Sequence, residues 1–117
     1  MPHVSRIQLK KTLENQLINT LDLLLTKLSK KDDVKKFLLS LLTPTERLML
    51  AKRLTIIILL KEGLTESEIA KKIHVTRVTV SRLQLFLEAR GEGYEIAMKI
   101  LQNEKIMQEL KMLLKDI

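Results

Sequence analysis

The stretch LTESEIAKKIHVTRVTVSRL, residues 64–83, decides the fold. Its first half carries Ile69, Ala70 and Ile73 at helical spacing behind Thr65 and Glu68, and its second half sets hydroxyls and arginines around Val75, Val78 and Val80. Thr65 with Glu68 three residues on is a capping box: the hydroxyl accepts from a free backbone N–H while the carboxylate reaches back to the N–H of the cap. Thr76 is placed to cap a second helix in the same way. The stretch is therefore read as two short helices, residues 66–73 and about 77–89, joined by a tight turn. A helix-turn-helix needs small or apolar side chains where its helices cross. Ile69 and Ile73 supply the inner face of the first helix, Ala70 the close approach, Val75 the plug of the turn, and Val80 and Leu83 the inner face of the second. His74 stands at the turn position where glycine is usual, and histidine tolerates positive φ better than most residues.

With the inner faces assigned, the second helix turns Arg77, Val78, Ser81 and Arg82 outward, with Thr76 and Thr79 at its tip. Arginine forks onto guanine, hydroxyls meet base edges or phosphates, and the methyls of Val78 and Thr79 suit a thymine methyl. The N–H groups of a helix N-terminus add an anion site. Between residues 71 and 90, Lys71, Lys72, Arg77, Arg82 and Arg90 are opposed only by Glu88, a local balance of +4 within a net charge of +7. The expected interface with double-stranded DNA is thus Lys71, Lys72, Thr76, Arg77, Val78, Thr79, Ser81, Arg82 and Arg90. The lysines of residues 27–36 form a second basic run, read equally as a solvated helix face or a phosphate-facing one.

Outward from this segment the chain continues to read as helix. The pattern of Ser or Thr followed by Glu or Gln recurs at Ser5 with Gln8 and at Thr43 with Glu46, where Pro44 occupies the first helical position. From Ser5 the positions Ile7, Leu13, Leu17, Ile18, Leu21, Leu24, Leu25 and Leu28 form one apolar stripe. Such a helix spans roughly 35 Å at 1.5 Å per residue, more than so small a domain covers alone, so the stripe calls for a second copy of the chain. A short helix from Asp32 or Asp33 follows, carrying Val34, Phe37, Leu38 and Leu41. The third, residues 44–62, is apolar on all sides at LTIIILL, as in a helix buried on every face, and Gly63 ends it. The last runs over about 94–115. The 117 residues make one all-α domain of six helices, with the helix-turn-helix at about 65–90 flanked by dimerisation helices at about 5–62 and 94–116.

Composition excludes several classes. A 45% hydrophobic content supports a core, built from aliphatic residues because only 3% are aromatic. There is no cysteine, so no disulfide, thiolate metal site or cysteine nucleophile exists, in keeping with a reducing cytoplasm. His74 and His3 are the two histidines, too few for a metal centre. No apolar run is long enough to span a membrane, and MPHVSRIQLKK lacks the apolar stretch of a secretory signal. Paired carboxylates such as Asp32 and Asp33, or Glu66 and Glu68, sit at helix starts, where capping and the macrodipole account for them. With no glycine-rich phosphate loop and no nucleophile beside a base, neither an enzyme nor a cofactor is expected.

The run LLTPTERLMLAKRL, followed by EGLTESEIAKKI and VTVSR, resembles the Trp repressor superfamily, especially its YerC/YecD-like branch, over about residues 37–87. The resemblance implies an intertwined homodimer whose terminal and central helices share a core, with two helix-turn-helix heads projecting from it. In tryptophan-binding members the amino acid lies between the central and recognition helices and sets the tilt of the head. Thr43, Arg53 and Arg82 match that pocket motif. The residue after the second arginine, a glycine in those members, is here Leu83, which adds four carbons where the ring would lie and argues against tryptophan as corepressor. The resulting expectation is a sequence-specific transcriptional regulator acting as a homodimer on a roughly palindromic operator. The alternative is a helical protein-interaction adaptor with an incidental basic surface.

Overall fold

The computed structural model describes residues 8–115, which contain seven helices and no strand. They are α1 (Lys11–Lys27), α2 (Lys31–Leu41), α3 (Pro44–Lys61), α4 (Glu66–Ile73), α5 (Arg77–Arg90), α6 (Glu92–Leu101) and α7 (Lys105–Lys115). They fall into two compact units, residues up to Leu48 and residues from Met49 onward, the boundary lying within α3.

In the first unit α1 has no buried residue, and Leu13, Leu17, Ile18, Leu21, Leu24 and Leu25 are each between 41% and 54% exposed. Among the described residues of the stripe read from the sequence, these six are exposed and Leu28 is half-buried. The helix starts later than expected: Gln8, Leu9 and Lys10 are not helical, and Lys10 caps without a side-chain hydrogen bond. Ser5 and Ile7, on which the expected start rested, lie outside the described residues. Leu9 is exposed, so its burial does not offset the roughly 1–2 kcal/mol per residue that ordering another turn of backbone costs. In α2, Val34, Phe37 and Leu38 are half-buried, and Lys36 pairs with Asp32 at 3.2 Å, both well exposed. An exposed i,i+4 pair of this kind is worth a few tenths of a kcal/mol. Helix α3 begins with the expected capping box: the Thr43 N–H donates to Glu46 Oε1 at 2.8 Å and the Glu46 N–H to Thr43 Oγ1 at 3.1 Å.

The second unit holds the core. Ile56, Ile57, Ile58 and Leu59, four consecutive residues of α3, are all buried. At about 100° per residue they cover the full circumference, the burial on every face that LTIIILL implied. Each fully buried side chain of this kind contributes about 1.5–3 kcal/mol. Ile56, Ile57 and Leu59 join Ile69 and Ile73 of α4 with Val80 and Leu83 of α5, and Leu64, Ala70, Val75, Leu87, Tyr94 and Leu114 pack around them. Gly63 ends α3 with φ 91°, and the Leu64 N–H reaches back to the Leu59 carbonyl at 3.2 Å, the six-to-one bond of a Schellman cap.

Seven helices replace the expected six because the last one is broken. Helix α6 ends at Leu101, and α7 starts at Lys105 after a turn in which the Glu104 N–H bonds the Leu101 carbonyl at 2.9 Å. On one straight helix Leu101 and Met107 would face about 120° apart. The break at Gln102 and Asn103, the latter a poor helix-interior residue, lets half-buried Leu101 and buried Met107 both pack. A second junction is set by Gly91 between α5 and α6, where an added Cβ would lie 2.4 Å from the Leu87 carbonyl oxygen. Gly91→Ala is therefore expected to lower stability by about 1–3 kcal/mol in urea unfolding, the usual cost of forcing atoms into filled space. An unchanged midpoint would mean the junction yields freely.

Candidate nucleic-acid interface

The interface is built on two caps and one turn. Thr65 Oγ1 accepts from the Glu68 N–H at 3.2 Å, and Glu68 Oε1 accepts from the Thr65 N–H at 3.0 Å, closing the capping box of α4. That bond from the Thr65 N–H, followed by the one involving its hydroxyl, holds the Glu68 carboxyl below its ordinary pKa, and Thr43 acts on Glu46 in the same order. A carboxylate with a lowered folded-state pKa stabilises the fold above its unfolded value, and the contribution is lost as pH falls through the folded one. Both boxes are thus complete at neutral pH.

His74 closes α4 in the left-handed region, φ 58° and ψ 54°, and the Val75 N–H returns to the Ala70 carbonyl at 3.1 Å. The turn is glycine-like geometry made with histidine, and Lys52 Nζ of α3 donates to the His74 carbonyl at 3.4 Å. His74→Val should cost about 1–2 kcal/mol, because a β-branched residue meets its own backbone there. His74→Gly should cost nothing, and thermal unfolding of the two variants checks the difference.

Thr76 caps α5, its Oγ1 accepting from the Thr79 N–H at 3.1 Å and lying 2.9 Å from the Thr79 hydroxyl. Ile69 and Val80, both 0% exposed, join the two helices, while Thr76, Arg77, Val78 and Thr79 project into solvent, Val78 at 58% exposure. Unlike α1, α2, α3, α4 and α6, α5 carries no carboxylate in its first turn. The positive end of its dipole thus meets no carboxylate from its own first turn. Lys71, Arg82 and Arg90 are also exposed.

Two residues assigned outward from the sequence are engaged within the chain. The half-buried Ser81 hydroxyl donates to Glu66 Oε2 at 2.5 Å, which ties the middle of α5 to the first turn of α4. Lys72, half-buried, donates from Nζ to the Leu114 carbonyl of α7 at 2.8 Å. Sequence reading missed Glu66 as a partner because its place in the first turn of α4 already accounted for it. It could not separate Lys72 from Lys71, since only the fold puts α7 beside one of them.

Of the three residues matched to an effector pocket, Arg53 lines a shallow cavity of about 100 Å³ with Leu83, Phe86, Arg90 and Tyr94. Thr43 is the cap of α3, and Arg82 is exposed and does not line that cavity. Leu83, 6% exposed, belongs to the core and fills space beside Arg53. Among the described residues no group of three or more His, Asp or Glu side chains is placed to hold a metal ion, and no helix is long and apolar enough to cross a membrane.

Fold and surface together define an all-α protein in which α5, basic and capped by a hydroxyl, stands on a helix-turn-helix core. The sequence model described as Trp repressor protein matches residues 15–104, and the chain belongs to that family of DNA-binding regulators. Comparison with curated proteins and with solved structures returns no match. The matched segment takes in α2 to α6 whole and stops short of α7.

Proposed function

We propose that the protein is a sequence-specific transcriptional regulator of the YerC/YecD-like branch, acting in the cytoplasm as a homodimer on a roughly palindromic operator. The observation that carries this reading is the tip of α5, where Thr76, Arg77, Val78 and Thr79 are exposed on a helix held from behind by fully buried Val80. Arg77, Val78 and Thr79 read base edges in the major groove, and Lys71, Arg82, Arg90 and the α5 N-terminus contact phosphates. Ser81 serves the interface by fixing α5 to Glu66. The uncovered stripe of α1 supports the homodimer, in which a second copy covers it and the two recognition helices enter successive major grooves.

Tryptophan is left out as corepressor. The cavity at Arg53 is about 100 Å³, against the roughly 300 Å³ at which ordinary small-molecule sites begin, and Leu83 supplies the carbons that close it.

Two substitutions test the assignment on duplexes of varied sequence. Arg77→Ala is expected to cost about 1–3 kcal/mol on the preferred site and to relax preference at one position of each half-site, whereas Lys71→Ala weakens every duplex alike. If Arg77→Ala reduces binding to all sequences equally, Arg77 is a phosphate contact and base readout lies elsewhere. A chain that shifts no duplex at low salt belongs to the adaptor class.

A further inference from the structure

Helix α7 lies beyond the segment matched to the family, yet one face of it is fastened to the rest of the second unit. Met107 is 3% exposed, and Leu114 packs against the cluster formed by Ile56, Ile69, Ile73, Val80 and Leu83. Lys111 Nζ lies 2.7 Å from Glu62 Oε1, just past the end of α3. Lys72, in the last turn of α4, donates to the Leu114 carbonyl at 2.8 Å. Positions 107, 110, 111 and 114 fall on one side of a helix of 3.6 residues per turn, so these attachments use a single face. The bond from Lys72 has a physical reason to persist. The last carbonyls of a helix lack an intrahelical donor and carry the negative end of the dipole, and an ammonium answers both needs. A phosphate would have to draw Lys72 away from that site.

We propose that α7 is a brace for the reading head and that Lys72 is a positioning residue acting through it, not a contact to DNA. The connection runs from the Leu114 carbonyl through Lys72 to α4, and from α4 to α5 through the Ile69 and Val80 packing and the Glu66 to Ser81 hydrogen bond. The tip that carries Arg77 and Thr79 is thereby held at one angle to the rest of the unit. The consequence for sequence discrimination rests on the DNA-reading proposal above; the coupling of α7 to α4 does not.

The test uses the full chain with Lys72→Ala, Lys72→Arg, Met107→Asp to undock α7, and the Lys72→Ala/Met107→Asp double variant. Without DNA, amide hydrogen exchange should quicken about tenfold or more in α7 of Lys72→Ala and in α4 of Met107→Asp, the scale expected for losing one charge-assisted hydrogen bond. Lys72→Arg should restore protection. On DNA, Lys72→Ala should lower the ratio of specific to random-duplex binding about tenfold while the dependence of log K on log salt stays as steep as in the unaltered chain. The double variant should then be no worse than Met107→Asp alone. If Met107→Asp fails to fold, Lys111→Glu and its rescue by Glu62→Lys give the same comparison. Unchanged exchange in α7 of Lys72→Ala overturns the brace. So does equal loss on every duplex, with a salt slope shallower by about 0.9 per protomer, the mark of a lost phosphate contact. A chain that binds no duplex sinks the DNA reading, and the exchange arm still decides for or against the brace.

Discussion

Binding to the preferred duplex is expected to weaken by about 10³-fold when salt rises from 50 to 200 mM, within the range for proteins that neutralise 6–10 phosphates. Each protomer presents Lys71, Arg82 and Arg90, the side chains assigned to phosphates, exposed on or beside the α4–α5 pair. Two protomers therefore bring roughly six cations, and at about 0.9 counterion per phosphate the slope of log K against log salt is about −5. Without carboxylates in its first turn, α5 adds the unopposed positive end of its dipole. Fluorescence anisotropy across a salt series measures the slope. A value shallower than about −2 would contradict the account, because too few phosphates would then be engaged for this surface to be the interface.

The second large effect concerns α1. Leu17→Glu combined with Leu21→Glu sets two carboxylates in the middle of the α1 stripe, at positions 54% and 42% exposed in the single chain. In the proposed dimer these side chains are covered, and each unpaired buried carboxylate costs several kcal/mol. The unaltered chain should sediment at twice its 13.6 kDa mass at micromolar concentration. The double variant should sediment at that mass or lose its helical signal along with the dimer, as obligate dimers do. Its affinity for the operator should drop about 10²–10⁴-fold through loss of the second half-site contact. A double variant that remains dimeric would move the interface away from α1.

The helix-turn-helix was legible in the sequence because its determinants are local. The Thr65 and Glu68 box, the Thr76 cap, left-handed His74 and the inward positions Ile69, Ile73, Val80 and Leu83 all follow from spacing within twenty residues, and the structure places them as read. The Thr43 box and the all-round burial at 56–59 were legible for the same reason. What escaped depends on contacts distant in sequence. The break between α6 and α7 serves the packing of Met107 in the core, which no local signal at Gln102 reveals. The engagement of Lys72 by a carbonyl 42 positions away, and of Ser81 by a carboxylate 15 positions away, rests on tertiary placement. Both residues have the type and local setting of an exposed reading-head position, so helical periodicity assigns them outward. Of the positions matched to the pocket, Arg53 lines the cavity and its neighbour there, Leu83, belongs to the core, a placement that depends on the packing of α3 against α5.

Selection of bound duplexes from a random pool by the intact protein, followed by footprinting of the enriched sequences, tests the central claim most directly. Two recognition helices related by a twofold axis predict a symmetric site whose half-sites are centred about 10 base pairs apart, with protection on one face of the duplex. Enrichment of no sequence, or of a site lacking any internal symmetry, would contradict a dimer that reads DNA with the tip of α5.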